Sequence, residues 1–331
     1  MRKFYFGILA LAALAACSKE DGVISANQEA ISFTNAFVQN GTRAADDSFT
    51  VKTDGLLEFE VWATTQRPQQ DGVNQSIVPI LGNDNNGQIV SRNDANSAWG
   101  YDAAYTQYWI AGNNYQFAAA KNYNTVTIEN GVPVSFTYDA AGQLDLIYDA
   151  NSREALASGN AKVTFTFNHL LSKAYFTVKT TEMSGSNTKY TYRISNICIN
   201  NAVKEATYTV ANETWAGTTN YSVSSPLTFG NVNNASKLVA NETYTSDYAR
   251  LLVPATYGED NKLNITCTIE TLYGDDVIDV KYYDQSIVQE FVKGYVYNFV
   301  LTLGNPGDEI MFTVNKVNEW LPTGDAEIPG L

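Results

Sequence analysis

The stretch Lys162–Lys179, KVTFTFNHLLSKAYFTVK, carries the clearest β-strand pattern in the chain. Its first half alternates Val163, Phe165 and Phe167 with polar residues, which is the period-two pattern of a half-buried strand. Its second half is a further run of β-branched and aromatic residues, so the stretch predicts two strands. We expect the residues between them, 168–174, to bend or bulge the chain.

The rest of the 331-residue chain has the same β-sheet chemistry, with 21 Tyr and 15 Phe but only 8 Pro. Short apolar runs are separated by turns rich in Asn, Gly and Ser, and no long helical apolar stripe is present. This pattern predicts an all-β protein built from β-sandwiches. The polar segment Glu182–Thr188 is the best boundary, so we predict an N-terminal domain over 44–184 and a C-terminal domain over 185–331.

The N-terminus predicts a lipoprotein signal peptide over residues 1–17. Two basic residues precede the apolar run Phe4–Ala16, which is too short for an ordinary membrane span and ends in the letters LAAC at Cys17. This is the pattern of a bacterial lipobox, so Cys17 is the predicted lipidation site and its acyl chains the predicted membrane anchor. The alternative is an ordinary secretory signal in which Cys17 has no role.

A tether and one strand lie between this signal and the first predicted domain, in residues 18–43. Within the segment NQEAISFTNAFVQNGTRA (27–44), Ile31, Phe33 and Phe37 share one parity, which predicts a half-buried strand. A polar turn with a single basic residue, Arg43, follows and predicts an exposed, easily cleaved site. Without further information, Arg43 would be taken as an ordinary loop arginine.

No sequence motif indicates an enzymatic activity, a metal site or a cofactor site. His169 is the only histidine, so a cage of several histidines and cysteines is excluded. Ser172 lies near it, but no nucleophile elbow, dinucleotide fingerprint or phosphate loop is present. We therefore interpret His169 as a structural histidine in a strand bend. The net charge of −14, without a basic cluster, argues against nucleic-acid binding.

Two further features leave alternatives open. Cys198 and Cys267 both lie in strand-like runs, and the sequence cannot decide whether they form a disulfide. The aromatic residues between positions 101 and 117 suit either a sugar-binding platform or a sandwich core, and we favour the core. That set comprises Tyr101, Tyr105, Tyr108, Trp109, Tyr115 and Phe117.

The last predicted strand, Glu309–Val314, places Ile310, Phe312 and Val314 on one face. Together with earlier pieces it resembles, in order along the chain, the fimbrillins, which are the pilins of Bacteroidetes type V pili. The matching pieces are the lipobox, ISF at 31–33 with TRA at 42–44, FEVWA at 59–63, DLIY at 145–148, FNHLLSKA at 167–174, LLVP at 251–254, GYVYNF at 294–299, and IMFTV at 310–314 with Val317 and Trp320.

The resemblance implies two tandem transthyretin-like, Greek-key β-sandwich domains and export as a lipoprotein lipidated on Cys17. It implies that an arginine-specific protease cuts between Arg43 and Ala44, which removes the first strand and opens a groove. A C-terminal segment of the next pilin subunit then enters that groove by donor-strand exchange. The implied donor residues are Ile310, Phe312, Val314, Val317 and Trp320. The precursor would be anchored in the outer membrane, and the product would be a cell-surface fimbria that supports adhesion.

Two other functions remain open at this point. The chain could be a surface lipoprotein or adhesin that does not polymerise and that binds a glycan or a host protein. It could also be a tip or anchor subunit of a fimbria rather than a shaft subunit. The sequence identifies neither an adhesion ligand nor the processing protease.

Overall fold

The structure is a computed structural model that describes residues 29–34, 36–38, 55–82, 85–156 and 159–319. These residues form β-strands and four short 3-10 helices, and no α-helix occurs among them. The strands are β1 (Phe37–Val38), β2 (Glu58–Gln66), β3 (Ile77–Leu81), β4 (Gln88–Ser91), β5 (Asn114–Lys121), β6 (Thr125–Glu129), β7 (Val132–Asp139), β8 (Ile147–Glu154), β9 (Thr166–His169), β10 (Ser172–Thr180), β11 (Tyr190–Asn200), β12 (Val203–Thr209), β13 (Thr214–Asn220), β14 (Leu227–Gly230), β15 (Thr243–Thr245), β16 (Arg250–Leu252), β17 (Thr256–Tyr257), β18 (Leu263–Tyr273), β19 (Asp276–Ile287), β20 (Gln289–Glu290), β21 (Tyr295–Leu303) and β22 (Met311–Glu319). The 3-10 helices are Ala103–Tyr105, Ala140–Gly142, Gly185–Lys189 and Asn233–Ala235.

The first sheet has seven strands in the order β1-β9-β8-β5-β2-β3, with β4 also paired to β2. Its central strands pair antiparallel, whereas β1 runs parallel to β9 at the edge. β3 is formed by the short apolar patch Ile77–Leu81, and β4 by four residues of which only Val90 is buried.

The stretch Lys162–Lys179 contributes to two different sheets. Its first half includes β9 in the first sheet, and its second half forms β10. β10 pairs in parallel with β21 and antiparallel with β15 and β16, and β22 completes that sheet at the other edge of β21. The predicted bend is confirmed, since Leu170 and Leu171 lie between the two strands and are both buried.

Two more four-stranded sheets complete the main architecture, in the orders β14-β11-β18-β19 and β13-β12-β7-β6. The second of these joins β7 to β12 through five residue pairs, so it spans the predicted boundary at 184/185. β10 likewise precedes that boundary but pairs with strands that follow it. The division into 44–184 and 185–331 therefore stays a prediction, and strand pairing does not follow it.

The buried apolar residues form two clusters. One cluster packs on one face of the first sheet and includes Phe59, Phe117, Phe165 and Phe167. The other begins at Trp62 on the opposite face and continues through the remaining sheets. The alternation of side chains along β2 explains this division, because neighbouring residues of a strand point to opposite faces.

No helix in the described part of the chain is long and apolar enough to cross a membrane.

Candidate functional site: the groove filled by the first segment

We call residues 29–34 and 36–38 the first segment. Its beginning lies beside residues 107–109: Ile31 N–H donates to Gln107 C=O over 2.8 Å, and Trp109 N–H donates to Glu29 C=O over 3.0 Å. Its continuation runs parallel to residues 163–167, with Val163 N–H donating to Ser32 C=O over 2.8 Å. The first segment thus bridges two parts of the chain that do not pair with each other there.

The first segment supplies core side chains as well as backbone. Ile31, Phe33 and Val38 are all buried within the first cluster. The Phe33 ring lies 5.6 Å from the ring of Tyr101 and 6.0 Å from that of Phe165, measured between centroids. Burial of each such side chain contributes about 1.5–3 kcal/mol to folding. The segment therefore completes the core of the first sheet.

The predicted parity of this strand is wrong at Phe37, which is 48% exposed. Phe33 pairs with Val163 and Phe37 with Thr166, so four steps along the first segment match three along its partner. One extra residue of this kind is a bulge, and it moves the following side chains to the other face. Ala36 and Val38 are consequently buried in place of Phe37.

Tyr101 closes the groove over the first segment. Its hydroxyl donates a hydrogen bond of 2.9 Å to Ile31 C=O and accepts one of 3.3 Å from Gln107 N–H. Burial raises the pKa of Tyr101, so the hydroxyl keeps its proton and remains a donor. Removal of the first segment would leave the Tyr101 hydroxyl without its acceptor. It would also expose the polar backbone groups of residues 107–109 and 163–165 and the apolar faces of the phenylalanine rings in the first cluster.

Comparison with known proteins identifies the family of the chain. The model of the fimbrillin-like family matches residues 42–320, which is most of the chain. The chain belongs to the fimbrillin-like family. A crystal structure of a fimbrial protein from Bacteroides vulgatus shares the fold with a TM-score of 0.61 at 16% identity, and the similarity covers 89% of this chain and 100% of that one.

A second solved structure is the tip fimbrial protein Mfa3 from Porphyromonas gingivalis with a C-terminal truncation. It has a TM-score of 0.40 and 11% identity over 85% of this chain and 99% of that one. No curated protein matches the chain at the level of sequence. The family of this fimbrillin-like protein rests on the family model, and its fold is shared with the Bacteroides vulgatus protein.

Several predicted site residues lie outside the described residues: Cys17, Arg43, Ala44 and Trp320. The remaining donor candidates lie on or beside β22. Their predicted alternation is confirmed, since Ile310, Phe312 and Val314 all pack partly against the second cluster while Met311 is 59% exposed. Val317 interrupts the alternation, because the register between β21 and β22 shifts there.

β22 is the outermost strand of its sheet and is held on one side by β21. The ring of Phe312 stacks on that of Phe299, with centroids 6.0 Å apart and an angle of 26° between the planes. The donor candidates and the groove therefore lie in different sheets of the same chain.

His169 has the structural role expected for it. Its Nδ1 lies 2.7 Å from Oδ2 of Asp145, and both side chains are buried. The Ser172 hydroxyl donates to Val292 C=O over 2.9 Å. Among the described residues, no group of three His, Cys, Asp or Glu side chains could hold a metal ion.

Of the six aromatic residues between 101 and 117, Tyr101 is half-buried against the first cluster, and the other five divide into two groups. Trp109, Tyr115 and Phe117 are buried in the first cluster, as the favoured interpretation requires. Tyr105 and Tyr108 are 56% and 47% exposed and belong to the surface.

Both remaining cysteines are free thiols. Cys198 lies opposite Thr266 in the β11–β18 pairing, and Cys267 is the next residue, so their side chains point to opposite faces of the sheet.

The sequence reasoning missed three residues of the groove: Ala36, Val38 and Tyr101. The first two were hidden by the bulge. Tyr101 was noticed only as one aromatic residue among six, and its bond to Ile31 C=O depends on a contact 70 residues apart in sequence.

Proposed function

We propose that this fimbrillin-like protein is a structural subunit of a cell-surface fimbria, and that its first segment occupies the acceptor groove until a protease cleaves after Arg43. The observation that carries the proposal is the burial of four residues of the first segment, Ile31, Phe33, Ala36 and Val38, in a core whose other buried members all come from residue 56 onward. The family match supports it, since it begins at residue 42, after the first segment.

The physics of an emptied groove favours replacement of the lost strand. Buried backbone groups without partners are costly, and an unpaired sheet edge invites pairing with another chain. A strand from a neighbour restores both the backbone bonds and the apolar contacts, with alternate side chains setting the register. While the first segment is in place, it blocks the groove and prevents early polymerisation.

β22 is the donor that fits best. It is an edge strand with alternating apolar residues, so releasing it breaks pairing with only one neighbour, β21. Because donor and groove belong to different sheets, each subunit can give a strand to one neighbour and receive one from another. Such a heterologous contact produces a filament rather than a closed dimer. The other subunits of the same fimbria are the expected partners.

The route to the surface is also a proposal. Lipidation of Cys17 would hold the precursor at the outer membrane, and cleavage between Arg43 and Ala44 by an arginine-specific protease would release the subunit for assembly. Arg43 is suited to this because it is the only basic residue between Lys19 and Lys52. The same scheme accommodates a shaft or a tip position.

The test is the Arg43→Ala substitution in cells that assemble the fimbria. We expect lipidated precursor to accumulate at the membrane and SDS-resistant polymer to disappear, and we expect wild-type polymer to begin at Ala44 on N-terminal sequencing. Arg67→Ala removes an exposed arginine elsewhere in the chain and is the matched control. Unchanged polymer from the Arg43→Ala variant, or a mature wild-type protein that stays lipidated and monomeric, would refute the proposal.

A further inference from the structure

A second concave surface runs beside β4 and meets the proposed acceptor groove at Tyr101. It encloses about 840 Å³. One wall is formed by the end of β3 and by β4, and the other by residues 98–105. This volume falls in the range of roughly 300–1,000 Å³ that is typical of small-molecule sites. We call it the β4 cleft, and we propose that it binds a neutral oligosaccharide.

The far wall of the cleft presents two tyrosine rings. Tyr105 is 56% exposed and ends a 3-10 turn that Asp102 caps, with Ala104 N–H donating to Asp102 Oδ1 over 2.9 Å. Tyr101 is half-buried, and its hydroxyl accepts a hydrogen bond of 3.3 Å from Gln107 N–H, which does not depend on the first segment. The apolar faces of sugar rings pack well on such aromatic faces.

The near wall has the polar groups that recognise hydroxyls. Gln88 and Asn93 carry amides that both donate and accept hydrogen bonds, and Ser91 adds a hydroxyl. Ile89, which is 55% exposed, adds an apolar side chain to the same wall. A few polar groups around an apolar floor are the usual composition of a ligand site.

The charges favour a neutral ligand. Of the described residues that line the cleft, only Arg92 and Asp102 are charged, and their charges cancel. Arg92 is already engaged: its Nε donates to Leu56 C=O over 2.9 Å, and its guanidinium lies 4.5 Å from the centroid of the Trp99 ring. The net charge of −14 further disfavours sialylated or sulfated glycans.

The backbone of the cleft argues against an added peptide strand. β4 has only four residues, and Ser91 at its end already exchanges two backbone hydrogen bonds with Gly100, of 2.8 and 2.9 Å. This leaves too short a free edge for a strand to pair along. A compact ligand that uses side chains fits the cleft better.

Gly100 offers a way to block the cleft without disturbing the fold. A Cβ at this position meets no atom within 4 Å, and its backbone conformation suits any residue. Gly100→Leu should therefore project a side chain into the cleft. Gly258→Leu is the matched control, since a Cβ there makes only an ordinary contact, at 3.7 Å from Asn261 Oδ1.

The experiment is saturation-transfer NMR on the full chain with chitotriose, mannotriose, lactose and 3′-sialyllactose. We expect signals from at least one neutral sugar. Gly100→Leu and Tyr105→Ala should each lower the affinity for that sugar at least tenfold. Gly258→Leu should leave the affinity unchanged, and so should Tyr282→Ala, which alters a tyrosine that lies elsewhere and is 80% exposed. Absence of binding by all four sugars, equal binding by Gly100→Leu, or preference for 3′-sialyllactose would overturn the proposal. Circular dichroism of each variant confirms that it is folded.

Discussion

His169 Nδ1 and Asp145 Oδ2 lie 2.7 Å apart where the chain crosses from the first sheet to the next. His169 is the last residue of β9 and pairs with Ile147, while Leu170 N–H donates to Leu146 C=O over 3.0 Å. Trp215 Nε1–H donates to Leu170 C=O over 2.9 Å, which ties β13 to the same point. The pair thus stabilises the bend on which the order of the sheets depends.

The first prediction concerns this pair. Asp145→Ala removes the carboxylate that faces the buried His169, and loss of one partner of a buried hydrogen-bonded pair costs about 1–3 kcal/mol. We expect the midpoint of urea unfolding to fall accordingly. Glu58→Ala removes a carboxylate from an exposed pair with Lys121, whose atoms are 3.2 Å apart, and should cost at most about 1 kcal/mol. Equal effects of the two substitutions would show that the buried pair is not structurally important.

The second prediction separates the two phenylalanines of the first segment. Phe33→Ala removes a ring that is 3% exposed, so we expect a loss of about 3–5 kcal/mol in unfolding free energy and faster hydrogen exchange at Thr34 and Phe37. Phe37→Ala alters a side chain that is 48% exposed and should change stability by no more than about 0.5 kcal/mol. A larger loss of stability with Phe37→Ala than with Phe33→Ala would show that Phe37 is buried, as the sequence predicted.

The first segment and the bend after His169 show which features of the fold could be predicted from the sequence. Alternation identified β9 and the residues before it, because Val163, Phe165 and Phe167 are buried while the residues between them are more exposed. It failed at Phe37, because a bulge inserts one residue without any mark in composition. The sequence predicted a bend over 168–174 but could not show that β10 leaves the first sheet, because strands that pair with β10, such as β21, lie far away in the sequence.

The candidate groove could be predicted only in part, because sequence patterns reveal local features and not contacts between distant residues. The resemblance to fimbrillins identified the first segment and the C-terminal strand, because both have a local sequence pattern. Partners far apart in sequence, such as Tyr101 with Ile31 or Asp145 with His169, are created by the fold. No periodicity within either segment reveals them.

The third prediction is a pH dependence. Burial lowers the pKa of Lys173 to about 8 from its ordinary value of 10.5. Between these values the unfolded chain binds the proton that the folded chain has lost, so Lys173 makes stability rise with pH. The full shift corresponds to a change on the order of 3 kcal/mol. Lys173→Met should remove this rise, measured as the difference between the variant and wild-type unfolding free energies from pH 7 to pH 10.

Taking that difference cancels the opposite contribution of the buried tyrosines, such as Tyr257, whose pKa burial raises to about 12. Lys179→Met is the control, because it removes a positive charge from an exposed position of the same strand. If Lys173→Met leaves the pH profile unchanged, Lys173 is protonated in the folded state throughout this range.

The fourth prediction concerns the free thiols. Burial raises the pKa of Cys267 to about 12, so its reactive thiolate is scarce at neutral pH. Cys198 is only partly buried. We expect iodoacetamide to modify Cys198 before Cys267 in the folded protein, and both after unfolding, as followed by peptide mass spectrometry. A Cys198–Cys267 disulfide in the purified protein would contradict the opposite orientation of the two side chains.

The last prediction tests the proposed donor strand. Phe312→Asp places a charge where an apolar side chain must enter the groove of the next subunit, so the variant cleaved after Arg43 should not extend a polymer through its own β22. Its groove is intact, however, so it should still accept a wild-type β22 and end a growing chain. Mixed with wild-type protein it should therefore shorten SDS-resistant ladders in proportion to its share. Met311→Asp alters an exposed neighbour on the same strand and should polymerise normally. Full-length ladders from the cleaved Phe312→Asp variant alone would show that Phe312 is not part of the donor strand. A variant that neither extends nor ends chains would indicate a folding defect, which circular dichroism would reveal.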